Sequence, residues 1–406
     1  MKIAILTLGS LGDVLPFALL GKALRRAGHE VVFVSGANFE SLAQEHQLPF
    51  VPVEADFRQM AHSEEGKRMM KTPLQTRRNL RTHIYPMIRN ALRTFYAEAA
   101  AAGKVIFHSK TLADCFADRF PEKMIRSNVV PAFEPTSAFP NPVGSGFPLP
   151  GFANKLSFRF SNLIYRLMGE PMRALRKEIG LPAAWQFQSL PSIYGISEHF
   201  LPKPADYGPH SYFTGFWREA SAAELPPDLK YFLENGPPPL LLTFGSMPFQ
   251  SKLDLNATLQ TLTQQLDIRM LVAKGWGLGE VQLEETPLIK QMPYIPYDAV
   301  LPYTKAVIHH GGIGTISSCL YAGKPFLSCP VIYPWGDQYF WGMIAHQRQV
   351  ALRPAPLKKL TTEKLVRLTR QLLHTPSLYE HARELQLKLR NENGLDNAVR
   401  IIESLA

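Results

Sequence analysis

Cysteine is scarce in this chain. Cys115, Cys319 and Cys329 are the only three in 406 residues, and they have neither metal-ligand nor redox spacing and cannot form a disulfide framework at this size. A reducing cytoplasm is the expected setting. Long apolar runs are missing as well. No stretch approaches the roughly 20 residues that a membrane span requires, and the apolar opening at 3–8 is broken by Gly9, Gly12 and Asp13 too early for a signal peptide. The protein is expected to be soluble, or at most peripheral to a membrane. A full dinucleotide fingerprint is also absent: Gly9-x-x-Gly12 is half of one, and no acidic residue ends the following strand at Val34-Ser35. These residues do not favour a nicotinamide enzyme.

What is present is the composition of a globular α/β protein. Apolar residues make up 46% of the chain and charged residues 19%, enough for large cores rather than disorder, and roughly 150 residues per domain gives two or three domains. The first half begins with a strand at 3–8, a turn at Gly9-Ser-Leu-Gly12, a helix at about 14–27 and a strand at 30–34. This is a βαβ unit of the doubly wound type, whose ligands bind beyond the carboxyl ends of the strands. The second half restarts with a strand at 238–244 followed by Gly245-Ser246-Met247, and the proline-rich stretch before it places a linker near 217–226.

The most informative run is 309–338, HHGGIGTISSCLYAGKPFLSCPVIYPWGDQ. A short β-branched strand at 305–308 feeds His309-His310-Gly311-Gly312-Ile313-Gly314-Thr315, which opens a helix ending near Ala322, before Gly323 and Pro325. Strand, glycine loop and helix start place unpaired N–H groups and the positive end of a helix dipole where a phosphate can sit. The dipole contributes only about 0.3–1 kcal/mol at an exposed end, so His310 and the Thr315 hydroxyl are needed beside it. Taken alone, HHGG is equally a tight turn with a structural histidine pair.

The run resembles the donor-binding signature of GT-B glycosyltransferases of the UDP-glycosyltransferase superfamily, in the branch that glycosylates bacterial antibiotics and sterols. The resemblance implies two Rossmann-like doubly wound α/β domains facing a cleft. Residues 1–220 would bind the acceptor, 221–393 the nucleotide-sugar donor, and 394–406 would form a helix crossing back to the first domain. It further implies that His310, Gly312, Gly314 and Thr315 contact the donor diphosphate, and that Asp337 and Gln338 hold sugar hydroxyls. Tyr294 and Tyr297, from Tyr294-Ile-Pro-Tyr297, would lie beside the base and ribose, with Tyr294 standing where plant members commonly carry Trp. Further strings similar to the branch are Phe133-Glu-Pro-Thr136, Phe139-Pro-Asn-Pro142 and Thr214-Gly-Phe-Trp217, so the likeness spans nearly the whole chain.

The expected activity is inverting transfer of a hexose, glucose from UDP-glucose, to a hydroxyl of a lipophilic sterol, polyketide or phenol. The UDP-sugar or dTDP-sugar is a co-substrate and no cofactor is implied. No Asp-x-Asp occurs in the chain, and a helix start with a histidine can do the neutralising that Mg²⁺ does elsewhere, so no metal is expected. Ser246 would add a hydroxyl and an N–H near the diphosphate, or serve simply as a turn serine. Inversion needs a general base, worth roughly 10² to 10⁴ in rate. Gly9-Ser-Leu-Gly12-Asp13-Val resembles the string in which the branch carries its proposed base, which points to Asp13; the other reading makes Asp13 a helix N-cap. A catalytically silent auxiliary protein and a nucleotide-sugar epimerase are the alternative activities.

The net charge is +10, and residues 66–97 contain eight Lys and Arg with no Asp or Glu. Leu80, Ile84, Met87, Ile88, Ala91 and Phe95 recur there at helical spacing, with Pro86 expected to kink or split the helix. Residues 67–93 suggest peripheral contact with an anionic membrane, or merely a solvated basic face over a core stripe. No nucleic-acid motif accompanies the charge. Phe133 and Phe139 are candidate acceptor contacts, with Phe57, Met60, Met69 and Met70 behind them.

Overall fold

The strands of this chain are apolar at consecutive positions rather than alternate ones, the pattern of strands covered on both faces. The computed structural model describes residues 1–54, 80–147, 149–159, 165–220, 223–245, 247, 249, 251–275, 277–278 and 281–405, residue 83 by its backbone only. The first sheet consists of β1 (Lys2–Leu6), β2 (Glu30–Gly36), β3 (Phe50–Val53), β4 (Lys104–His108), β5 (Met124–Asn128), β6 (Ser192–Tyr194) and β7 (Ser211–Phe213). All seven are parallel, in the order β3-β2-β1-β4-β5-β6-β7. The second sheet consists of β8 (Leu240–Thr243), β9 (Met270–Ala273), β10 (Ile289–Met292), β11 (Val307–His309) and β12 (Phe326–Ser328). It too is parallel, in the order β10-β9-β8-β11-β12.

Alternation within β1 builds two cores. Ile3 and Ile5 pack with Phe17 and Phe33 on one face, whereas Ala4 and Leu6 pack with Phe95 and Phe107 on the other. Each such large side chain contributes about 1.5–3 kcal/mol when fully buried. In both sheets the strand order reverses once, between β1 and β4 and between β8 and β11. The loops leaving those strands part toward opposite faces, which opens a crevice at the carboxyl ends.

A third apolar cluster joins the halves, with Tyr194, Phe200 and Phe216 from the first meeting Leu241, Ile316, Phe340 and Trp341 from the second. Phe200 stacks on Trp341 with ring centroids 6.0 Å apart. The last helix, Gly394–Ser404, buries Leu395, Ala398, Val399 and Ile402 in the core that lies under β1, the one-sided spacing of an amphipathic helix. Asn397 Nδ2 donates to the Thr214 carbonyl at 2.9 Å, which fastens this helix to the first half.

Several local expectations are revised. The strand expected at 238–244 is confined to Leu240–Thr243, since Pro238 and Pro239 have no N–H to give a sheet. The helix expected from 14 begins at Leu11. Pro86 falls where the helical run divides: a π-helix at Leu80–Ile84 gives way to the α-helix Tyr85–Ala101, whose first turn holds Pro86, and a first-turn proline loses no helical hydrogen bond. Ile88, Ala91 and Phe95 are buried as the spacing implied. Two arginines of the basic face are neutralised within the fold, Arg81 by Glu170 at 3.3 Å and Arg93 by Glu178 at 2.8 Å. Residues 67–79 of that segment, with Phe57, Met60, Met69 and Met70, lie outside the described residues. Among the described residues no helix is long and apolar enough to cross a membrane, and the three cysteines are buried and unpaired.

Candidate active site

At the first reversal point, the loop after β1 turns through Gly9 into the helix Leu11–Arg26. Ser10, in extended conformation at φ −80 and ψ 173, is the N-cap, and Asp13 is the third residue of the helix. The Asp13 carboxylate reaches back: Oδ2 accepts from Ser10 N at 2.9 Å and from Ser10 Oγ at 3.0 Å. This corrects the N-cap reading of Asp13, because a carboxylate that serves the N-cap from the third position is the returning half of a capping box. Gly9 has φ +136, and a Cβ there would stand 2.4 Å from Asp13 Oδ2. Only glycine permits both the turn and the carboxylate's place.

The loop after β4 supplies the partner. Lys110 Nζ donates to Asp13 Oδ1 at 2.6 Å. His108, the last residue of β4, accepts the Lys110 backbone N–H at Nδ1 at 3.3 Å. Burial holds the His108 ring neutral and brings its pKa down to about 3, with Asp13 opposing and Lys110 assisting. Burial alone would raise the Asp13 pKa, yet Lys110, with the Ser10 N–H, holds it below the usual carboxylate value. For Lys110, burial works against the charge, and Asp13, with Asp337 behind it, more than offsets this and raises the ammonium's pKa.

The cradle stands at the second reversal point. β11 ends at His309, whose Nδ1 accepts from Gly311 N at 2.9 Å. Gly312, at φ −68 and ψ 141, is the N-cap of the helix Ile313–Tyr321 and brings no capping side chain, so the first N–H groups of the helix are left for a ligand. His310 is buried with no partner for Nδ1, and burial lowers its pKa to about 4. A Cβ on Gly314 would meet nothing within 4 Å, so the helix start faces open space. Thr315 is buried in the first helical turn.

The two tyrosines part company. Tyr294 is 75% exposed and free to stack. Tyr297 lies beneath the cradle: its hydroxyl meets Thr243 Oγ1 at 3.0 Å and also Thr315, and burial raises its pKa. It supports the loop from below, in place of the base and ribose contact expected of it. Ser246 lies outside the described residues.

Asp337 caps the helix Gln338–Gln347 and receives Trp341 Nε1 on Oδ2 at 3.0 Å. Burial raises its pKa, against the ammonium of Lys110 and with the added repulsion of Asp13. Lys110 therefore acts on Asp13 in one half and on Asp337 in the other. Gln338 turns its carbonyl away into the loop, accepting from Val331 N at 2.8 Å and Ile332 N at 3.2 Å. Only its amide N–H groups remain for a sugar. The first half braces this loop, with Gly336 N donating to Val143 O at 2.7 Å and Tyr333 Oη to Gly146 O at 3.0 Å.

Phe133 is half-buried in an aromatic wall. Its ring meets Phe187 at 5.2 Å, Phe187 meets Trp185 at 4.8 Å, and the Arg126 guanidinium lies 4.0 Å from its centroid. Tyr165 joins the wall and donates to Ser109 O at 3.0 Å, one residue before Lys110. Phe139 is not on it. It is buried against Phe158 and Phe340 in the interdomain core, which corrects its reading as an acceptor contact. Sequence reasoning missed His108, Lys110, Tyr165 and Phe187. The signal for the first two is the apolar run at 105–107 ending in His-Ser-Lys, which marks a strand end but not that the strand adjoins β1.

Residues 3–113 match the model of the glycosyltransferase family 28 N-terminal domain. The chain is 29% identical over 429 residues to sterol 3-beta-glucosyltransferase UGT80B1 of Arabidopsis thaliana, covering 98% of this chain and 67% of that protein. It is 27% identical to sterol 3-beta-glucosyltransferase of Aspergillus clavatus, covering 99% of this chain and 29% of that one. It thus spans about two thirds of the plant relative and under a third of the fungal one. Among solved structures, the glycotransferase of kitacinnamycin superposes with a TM-score of 0.70 at 18% identity, covering 100% of this chain and 98% of that one. SsfS6 from Streptomyces sp. SF2575, solved with thymidine diphosphate, gives 0.58 at 19% identity, covering 100% and 99%.

Proposed function

We propose that the chain is a GT-B member of the UDP-glycosyltransferase superfamily, of its sterol-type and antibiotic-type branch, and that it transfers a hexose from a nucleotide sugar to a hydroxyl of a lipophilic acceptor, with inversion and without a metal. The observation that carries the reading is the meeting of two strand-end loops. Asp13 stands after β1, the cradle of Gly312 to Thr315 after β11, and Lys110 couples Asp13 to Asp337 between them. UDP-glucose is the donor in this reading, with dTDP-glucose as its rival, and a reducing cytoplasm is the setting that three buried unpaired cysteines suit.

The diphosphate lies at the helix start, where the N–H groups after Gly312, the neutral His310 ring and the Thr315 hydroxyl stabilise the departing charge by pre-set dipoles. The sugar lies against Asp337 and the Gln338 amide. The acceptor rests on the wall of Phe133, Tyr165 and Phe187 with its hydroxyl toward Asp13. As the acceptor oxygen bonds to the anomeric carbon, the bond from that carbon to the β-phosphate oxygen breaks with its electron pair on UDP. The hydroxyl proton passes to Asp13.

The test is product analysis. Purified protein given UDP-glucose or dTDP-glucose and a panel of sterols and phenols should form a glucoside whose anomeric proton in NMR reports β configuration, at a rate EDTA does not change. An α product, or dependence on a divalent ion, overturns the mechanism; donor isomerised with no acceptor present would make it an epimerase.

A further inference from the structure

Three of the roughly four hydrogen-bond positions of the Asp13 carboxylate are filled. Oδ2 accepts two hydrogen bonds from Ser10, and Oδ1 is covered by the Lys110 ammonium at 2.6 Å. An acceptor hydroxyl that reaches Oδ1 shares that oxygen with an ammonium, which lowers its basicity, so Asp13 is an effective base only once one of these donors leaves. Ser10 is held by the backbone of its own helix start, whereas Lys110 is not held. Its side chain is 54% exposed, Asp13 is the one partner of Nζ among the described residues, and its remaining N–H bonds are open to the cleft. The charged and titratable groups around this pair are His108 on β4's end, neutral and buried, and Asp337 from the opposite half. No second cation among them could cover Asp13 once Lys110 had gone.

We propose that Lys110 is a donor-released guard on the base: it occupies Asp13 Oδ1 while the cleft is empty and transfers to the diphosphate or sugar of the entering nucleotide sugar, exposing the carboxylate only when a donor is in place. This rests on the reading of Asp13 as the base. The physical drive is charge. An ammonium shared between one carboxylate at 2.6 Å and a second across the cleft gains more from a doubly charged diphosphate, and a lysine stem is long and freely rotating enough to exchange partners. Lys110 is then a positioning residue that acts through Asp13. Its consequences are compulsory order, donor before acceptor, and a base that cannot be engaged by an acceptor bound alone.

The wild-type protein supplies the first test. Binding of 4-nitrophenol as an acceptor probe, followed by calorimetry, should be at least tenfold tighter in saturating UDP than without it; equal affinity overturns the proposal. The second compares Lys110→Met and Lys110→Arg. The methionine variant should bind the probe equally well with and without UDP, and in the donor-free protein its Asp13 carboxyl, followed by NMR, should titrate a pH unit or more above that of wild type as Asp13 loses its cation. The arginine variant should retain both wild-type properties. A methionine variant with the wild-type Asp13 titration and wild-type UDP dependence assigns Lys110 no such part. Wild type that transfers glucose but lacks the UDP dependence refutes the guard and leaves the transferase reading standing, whereas wild type that neither binds UDP nor transfers refutes the reading beneath it.

Discussion

A Cβ on Gly312 would stand 2.4 Å from Nε2 of His310, so the glycine before the helix exists to seat the histidine ring. The ring also occupies the space left by the missing side chain of Gly245, its Cε1 lying 3.2 Å from where a Cβ there would be. Gly312→Ala is expected to displace His310 and weaken UDP binding by tenfold or more, about 1.4 kcal/mol. Gly314→Ala should behave differently. Its Cβ meets open space within the protein and replaces a helical glycine, which stabilises a helix by about 0.8–1 kcal/mol. Its melting temperature should hold or rise while its affinity for UDP falls, if the diphosphate lies where the helix opens. Calorimetry and thermal melts on both variants decide it, and unchanged UDP affinity in both would remove the cradle.

Asp13→Asn should lower transfer by roughly 10² to 10⁴, the usual contribution of a positioned base, with UDP affinity kept or tightened, since Lys110 is no longer drawn to a carboxylate there. An asparagine oxygen can still accept from Ser10 N, so the helix start should persist. Near-normal turnover would take Asp13 out of the mechanism.

Trp341→Phe removes the indole N–H from Asp337 Oδ2. A hydrogen bond to a charged group contributes about 1.5–3 kcal/mol, and without it the carboxylate should swing. KM for UDP-glucose is expected to rise about tenfold while the affinity for UDP alone stays put. Equal losses for both ligands would mean that Trp341 supports the nucleotide, or only the fold.

His310 is held neutral, its pKa lowered from 6.5 to about 4, and His108 lies lower still at about 3. A histidine with a depressed folded pKa binds fewer protons folded than unfolded between the two values, so stability rises with pH across that window. The stabilisation is complete above about 6.5 and is lost as pH falls toward 4. Melting temperatures taken from pH 7 down to 4.5 should therefore decline, and His310→Asn should show a shallower decline than wild type. Parallel curves would count against a neutral buried His310.

Much of the strand, glycine loop and helix start at 307–321 could be read in advance because it is local. Strand, glycines and helix start lie within about ten residues of one another, and the N–H groups that a helix leaves unpaired follow from backbone geometry whatever surrounds it. The same holds for the amphipathic stripes at 88–95 and 395–402, which settle on core faces wherever the partner surface comes from. Where the reading failed, a side chain had two acceptable local uses and a distant residue chose between them. Tyr297 supports Thr243 and Thr315 from below, and Phe139 fills the interdomain core. No local pattern distinguishes these from ligand contacts.

By itself the sequence determined two doubly wound halves, a glycine loop opening a helix in the second and a carboxylate at the first helix of the chain, since each is dictated by period, glycine placement and helix-end chemistry. Only the tertiary structure decided what surrounds that carboxylate. Lys110 lies 97 residues from Asp13 in the chain, and the two meet because β4 pairs beside β1 while the other half carries Asp337 across the cleft. Charge acts through space, and which strand neighbours which is settled by how whole cores close.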